Sequence, residues 1–381
     1  MRVVVVSGIW PPDVGGPASH APDVARFLLR RGHDVEVVTT AAVQPAREDY
    51  PVHWISRRLP KGAVHLRTAA EVARRAVHAN VVYTTGMFGR SAAGATAARR
   101  PYVVKLTADP AFERARRRDI VGGDVDQFQG LGGGAAVRAL RLARDVELRR
   151  AAHVFTPSAY LRELAVSWGV RPERVSVLPN PAPELPALAP REELRLSFGM
   201  RGLTLVFAGR LTAQKALGVA LEAVSANDDV ELLIAGAGDQ REPLERRVDD
   251  LGLGGRVRFL GPLARDRVVE LLHAADAAIL SSSWENFPHS VVEALAVGTP
   301  VLATAAGGVA EVVRDGENGL LVPVGDAEGL AEAIRRFGAD AALRERLRAA
   351  AAASVEDYAP ERVFARLEEA LLAAASLRLA P

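Results

Sequence analysis

The feature that most restricts the fold is a rhythm that runs through the chain twice. Short β-branched runs alternate with Ala/Leu/Arg segments of helical period, and one proline-rich stretch separates the two series. This alternation predicts an α/β fold with parallel sheets, because each strand needs a helical crossover to return to the same end of the sheet. The first series is RVVVVS, DVEVVTT, VVYTT, YVVKLT and HVFTPS, and the second is LTLVFAG, VELLIAG, RVRFLG, AAILSS, PVLAT and GLLVP. Between them VLPNPAPELPALAP places five prolines from Pro179 to Pro190, which fit neither a helix interior nor a central strand. The expected organisation is two Rossmann-like parallel-sheet domains, residues 1–180 and 181–357, facing a central cleft at the carboxyl ends of their strands, where ligands of such sheets bind. A final helical pattern, within 358–381, has no strand after it and is expected to pack back on the first domain.

Composition limits the functional classes. A chain of 381 residues, 49% hydrophobic, exceeds what one core usually holds. It has no cysteine, which removes disulfides, thiolate nucleophiles and cysteine metal sites and suits the cytoplasm. The opening valine run is too soon interrupted for a secretory segment, and no run approaches ~20 apolar residues. A net charge of +2 gives no reason to expect a nucleic-acid partner. Basic residues do gather from Arg114 to Arg150, either as a solvated helical face or, through Arg114–Arg118, as a peripheral contact with the inner membrane face. The glycine-rich stretch Gly122–Gly134 reads as a mobile loop near the cleft.

Chemistry concentrates at the strand exits of the second series. In AAILSSSWENFPHSVVEALAVGTP the strand leaves through a short loop into a helix with Pro288 near N1 and Gly298 at C′. Glu285 lies just before that helix, where the amides of Asn286 and Phe287 favour anionic or hydroxyl-bearing groups. Glu293 lies farther along it; at ~1.5 Å per helical residue plus the loop, the carboxylates fall roughly 10 Å apart, a span for gripping an extended ligand at two ends. In FAGRLTAQKALG, Gly209 and Arg210 leave a strand and Lys215 is expected to open the next helix, which makes a candidate diphosphate site of two cations and helix amides. Glycine pairs at Gly15–Gly16 and Gly307–Gly308 mark either tight turns or close backbone approaches to a ligand. IAGAGDQ lacks the last glycine of a dinucleotide fingerprint, and no Walker lysine is present.

Together GRLTAQK, IAGAGDQ, RFLGPL, the two-glutamate segment, GGVAEVV and NGLLVP resemble glycosyltransferase family 4, retaining enzymes of GT-B architecture. The match is dense from Leu203 to about Leu330 and looser in the first half, where PPDVGG and LLRRGHDVEVVTT look like the family's opening strand, glycine loop and helix. The resemblance implies transfer of a sugar from a nucleotide-diphosphate sugar to a hydroxyl acceptor, with no metal and no further cofactor. It implies Glu285 near the donor sugar, Glu293 on the ribose, and Arg210 and Lys215 on the diphosphate. Backbone around Leu260, Gly261 and Pro262 is implied at the base, Gly16 at the phosphates from the other domain, and the amides of Asn286 and Phe287 at the sugar. Many relatives carry a histidine where this chain has Thr107; Asp109 is the nearest ionisable substitute, as an acceptor-side or catalytic group, or else as a turn-fixing aspartate before Pro110. His20 is a further acceptor-side candidate, or a helix-surface histidine. The sequence DVD at Asp124–Asp126 is set aside as a metal motif because it lies in the glycine-rich stretch. A lipid-linked or cyclitol acceptor, and a nucleotide-binding module without catalysis, are the alternatives.

Overall fold

A computed structural model describes residues 1–13, 16–123 and 125–377. The chain divides into two compact units, Met1–Pro179 with Glu361–Pro381, and Asn180–Pro360. In the first unit the strands are β1 (Arg2–Ser7), β2 (Asp34–Ala41), β3 (Val52–Ser56), β4 (Val81–Thr84), β5 (Tyr102–Lys105), β6 (His153–Thr156) and β7 (Val175–Val177). They form one parallel sheet in the order β3-β2-β1-β4-β5-β6-β7. The valine run explains itself here. Val4 and Val6 enter a core on one face with Val38, Val82 and Val104, while Val3 and Val5 enter a second core on the other face with Val37, Val81 and Val103. Four consecutive valines suit only a strand covered on both sides.

The second of these cores is closed by the helix Pro360–Ser376, through Val363, Phe364, Leu367, Leu371 and Ala374. Full burial of each large side chain contributes about 1.5–3 kcal/mol, so this helix is a structural part of the first unit although it follows the second in sequence. Its Glu368 is tied down by Arg31 Nε at 3.0 Å and by His33 Nε2 at 2.6 Å. Burial alone would raise the carboxyl's pKa, but these two hydrogen bonds prevail and hold it below the usual range.

The second unit holds β8 (Leu203–Ala208), β9 (Val230–Ala235), β10 (Val257–Gly261), β11 (Ala277–Leu280), β12 (Val301–Thr304) and β13 (Gly319–Val322). Its sheet is parallel, in the order β10-β9-β8-β11-β12-β13. The strand order reverses between β8 and β11, and in sheets of this kind ligands bind at the carboxyl edge beside such a reversal. The proline-rich stretch after Pro179 carries neither helix nor strand until Arg191.

The glycine-rich stretch expected to be a mobile loop contains the helix Val125–Gly130. Its Val125 and Phe128 are buried, Phe128 with its ring centroid 5.5 Å from that of Phe112, and this apolar anchoring is what the glycine count concealed. Among the described residues no helix is long and apolar enough to cross a membrane.

Candidate active site

The loop leaving β8 is held by the backbone of the segment that leaves β9. Gly209 N donates to Ala235 O at 2.9 Å, Leu211 N to Ala237 O at 2.9 Å, and Gln240 N to Leu211 O at 3.0 Å. This contact tolerates no side chain: a Cβ on Gly236, whose φ is +149°, would sit 1.8 Å from Gly209 O, and one on Gly238 would sit 2.0 Å from Leu211 O. The glycines of IAGAG thus serve backbone packing beneath Arg210. The Arg210 side chain is exposed and, among the described residues, has no hydrogen-bond or ion-pair partner.

Lys215 does not open a helix. It ends a 3-10 turn, Ala213–Lys215, and Ala216 at φ +43° redirects the chain so that the helix begins at Leu217. That turn is stitched to the loop leaving β11. Ser281 Oγ donates to the carbonyls of Lys215 at 3.2 Å and Ala216 at 3.1 Å. Ser283 N donates to Gln214 O at 2.9 Å, and Gln214 Nε2 to Trp284 O at 2.9 Å. The result is an ion pair between Lys215 Nζ and Glu285 Oε1, whose side chains keep only 15% and 6% of their exposure. Ser282 Oγ donates to the same Glu285 oxygen at 2.7 Å. Gly308 N donates to Glu285 O at 2.9 Å, so the second glycine pair braces this loop through its backbone.

Downstream the helix runs His289–Ala296, with Pro288 at the N-cap and not at N1, and Gly298 following the C-cap at φ +79°. The amides of Asn286 and Phe287 donate to no protein group among the described residues, and Asn286 Oδ1 is buried without a partner. Thr212 Oγ1, three residues before Lys215, is a second buried orphan. Unfilled polar groups gathered at one strand-exit edge suit a polar ligand. Glu293 is half-buried between Val292 and Ala294, and its carboxylate has no hydrogen-bond partner among the described residues. Burial raises its pKa, and the charge of Arg265 offsets this only in part. At the β10 exit the pairing slips by one residue at Leu260, and Gly261, at φ +72°, accepts from Gly236 N at 2.8 Å. Arg210, Lys215, Glu285, Asn286, Phe287 and Glu293 therefore lie on the segments leaving β8 and β11, and Leu260 and Gly261 end β10.

The first-unit candidates fare differently. Asp109, the acceptor-side and catalytic candidate, is engaged within the first unit. It is 1% exposed, caps the helix Pro110–Arg116 through Ala111 N at 2.8 Å, and takes Arg144 Nη1 at 2.8 Å and Gln129 Nε2 at 3.0 Å on its other oxygen. Arg144 is itself 3% exposed and is shared with Asp145, which accepts from its Nε at 2.9 Å, so the carboxylate belongs to a buried ion-pair network. His20 is half-buried, with Nε2 2.8 Å from the Tyr83 hydroxyl and its ring 5.8 Å from that of Phe364. Thr107 is half-buried just after β5. Gly16 opens the helix Gly16–Arg30, while Gly15 and Asp124 lie outside the described residues; Asp126 accepts from the Tyr160 hydroxyl at 2.7 Å. Of the basic run, Arg114 is engaged by Glu147 at 3.2 Å, and Arg116, Arg117 and Arg118 are exposed. Sequence reasoning missed Gln214, Ser281 and Ser282; the only signal for the serines was a hydroxyl run at a strand exit.

Comparison with known proteins identifies the family and the fold. Residues 195–354 match the family of glycosyl transferases group 1, and residues 15–181 match the glycosyl transferase 4-like domain. The lipopolysaccharide core biosynthesis glycosyltransferase LpsE of Rhizobium meliloti is 42% identical over 139 residues, 36% of this chain and 40% of that protein. A glycosyltransferase of Methanocaldococcus jannaschii is 28% identical over 372 residues, 91% of each chain. Among solved structures, Anabaena HepE in complex with UDP superposes with a TM-score of 0.80 at 21% identity, covering 98% of this chain and 100% of that one. With both units matched in turn, each built on a parallel sheet, the chain belongs to the family-4-like glycosyltransferases of GT-B fold.

Proposed function

We propose that the chain transfers a sugar, with retention of anomeric configuration, from a nucleotide-diphosphate sugar to a hydroxyl acceptor, and that the second unit is the donor-binding one. The observation that carries this reading is the cluster at the β8 and β11 exits: the exposed Arg210, the Lys215–Glu285 pair and the amides of Asn286 and Phe287, which have no acceptor among the described residues. Two cations and helix-start amides suit a diphosphate, and a carboxylate beside them suits sugar hydroxyls. Glu293, uncharged more readily than an exposed glutamate and without a side-chain hydrogen-bond partner among the described residues, suits ribose hydroxyls. In the proposed step the acceptor oxygen attacks the anomeric carbon from the face that the diphosphate leaves. The departing phosphate oxygen takes the acceptor's proton, and Arg210 and Lys215 offset the charge that grows on the leaving group in place of a metal ion. This route needs no separate base, which is consistent with an Asp109 held in structure.

HepE has been solved with UDP-glucose as well as UDP, which makes UDP-glucose the first donor to try. The relatives' names include a lipopolysaccharide core transferase and D-inositol 3-phosphate glycosyltransferases, so their acceptors differ widely. We propose the cytoplasm as the place of work, in keeping with a chain that lacks cysteine. The test is a thermal-shift screen of UDP, GDP, TDP and ADP with their hexoses, since a ligand at a hundred times its Kd stabilises by about 2.7 kcal/mol whatever the acceptor. If none of them raises the melting temperature, the reading is wrong.

A further inference from the structure

We propose that Ser282 is a positioning residue for Glu285, an inference that rests on the donor reading above. The argument begins with an imbalance on one carboxylate. Glu285 Oε1 receives both Lys215 Nζ and Ser282 Oγ, while its other oxygen has no protein donor among the described residues. When a diphosphate enters, Lys215 must turn part of its hydrogen-bonding capacity toward phosphate, because the ammonium has three donors and no more. The lysine's hold on Glu285 then weakens at the moment the sugar needs a fixed carboxylate. Ser282 has no competing partner of that kind. Its hydroxyl is buried with the residue 0% exposed, and its carbonyl is fixed by Thr304 Oγ1 at 2.7 Å. Thr304 is the last residue of β12, so the serine is anchored to the sheet as well as, through Ser281 and Ser283, to the Lys215 turn. The structure therefore gives Glu285 one donor shared with substrate and one reserved for itself.

Two consequences separate this from a merely structural serine. A hydrogen bond to a charged group contributes enough that its loss costs about 10- to 100-fold in rate when it is needed only with donor bound. The effect falls on turnover and spares bare nucleotide, because UDP carries no sugar for Glu285 to hold. It also vanishes when Glu285 carries no charge, since Ser282 acts through that carboxylate alone.

The experiment uses the full chain and four proteins: wild type, Ser282→Ala, Glu285→Gln and the double variant, each checked for a cooperative melt. Calorimetry with UDP, or whichever nucleoside diphosphate stabilises most, is set beside hydrolysis of the matching nucleotide sugar with water as acceptor. Expected are a 10- to 100-fold fall in turnover for Ser282→Ala, nucleotide affinity within about twofold of wild type, and no further fall when Ser282→Ala is added to Glu285→Gln. Turnover equal to wild type in folded Ser282→Ala, or a full additional loss in the double variant, overturns the assignment of Ser282 and leaves the donor site standing. A wild-type protein that neither binds a nucleoside diphosphate nor turns over a nucleotide sugar overturns both.

Discussion

The Lys215–Glu285 pair makes a prediction that runs against the usual result of removing a site residue: Glu285→Gln should bind UDP more tightly than wild type. In the empty site the lysine's charge is already answered by a carboxylate, and both side chains are largely out of water. A phosphate oxygen that shares the same ammonium comes to roughly 5 Å from the carboxylate, where two unit charges repel by about 0.8 kcal/mol in water and about 3 kcal/mol at an effective dielectric constant near 20. Replacing the carboxylate by an amide of the same shape removes that repulsion and leaves Lys215 free for the diphosphate. Even the weaker figure corresponds to about fourfold in Kd, so a gain of about 4- to 10-fold is expected. Turnover should fall at the same time, because the group beside the sugar is lost where charge develops. Calorimetry with UDP, or with the nucleoside diphosphate that stabilises most, on wild type and variant, beside turnover of the matching sugar, reads both effects. Affinity unchanged or weakened in a folded variant would refute the reasoning, since Lys215 would then not be the cation that the diphosphate engages.

Why the pairing was invisible in the sequence is a matter of topology. The partners stand seventy residues apart, and they meet only because β8 and β11 are neighbours across the reversal in strand order. The residue types at each strand exit were legible; their union was not. The same holds for Asp109, where the chain shows only an aspartate before a proline and the deciding partner, Arg144, lies thirty-five residues on. The parallel sheets were legible because a strand buried on both faces needs an unbroken apolar run, as in β1, β8 and β9. The edge strands β3 and β7 escaped notice for the complementary reason: VHWIS is mostly half-buried and VSV has three residues, so neither carries a strong pattern. Lys215 was expected to begin a helix because nothing in TAQKALG announces that an alanine will take a left-handed conformation, which tertiary stitching by Ser281 imposes.

Three other perturbations test the same picture. Lys215→Ala and Arg210→Ala should each lower turnover by at least about 100-fold with the fold intact, because each removes a positioned cation from a leaving group whose charge grows in the transition state; near-normal turnover in both would remove the diphosphate site. Glu293→Gln should weaken UDP binding about 10-fold and yet raise the melting temperature of the empty protein at neutral pH, because burial raises this carboxyl's pKa and its ionisation therefore counts against folding; a variant that melts lower and binds normally contradicts both roles. Lys105 gives a pH dependence outside the site. It is wholly buried, donates to the carbonyls of Leu178 and Pro179, and burial, helped by Arg366, lowers its pKa to about 7 from 10.5 in the unfolded chain. Between those values the unfolded chain holds a proton that the folded one does not, so stability to urea should rise with pH from about 7 and flatten below it, where both forms are protonated. The scan belongs below pH ~10, because burial also raises Tyr83 and that group adds a slope of opposite sign on the alkaline side. Lys105→Met should lose the rise and be more stable than wild type at pH 7, and equal slopes in the two proteins would show that this lysine keeps its proton on folding.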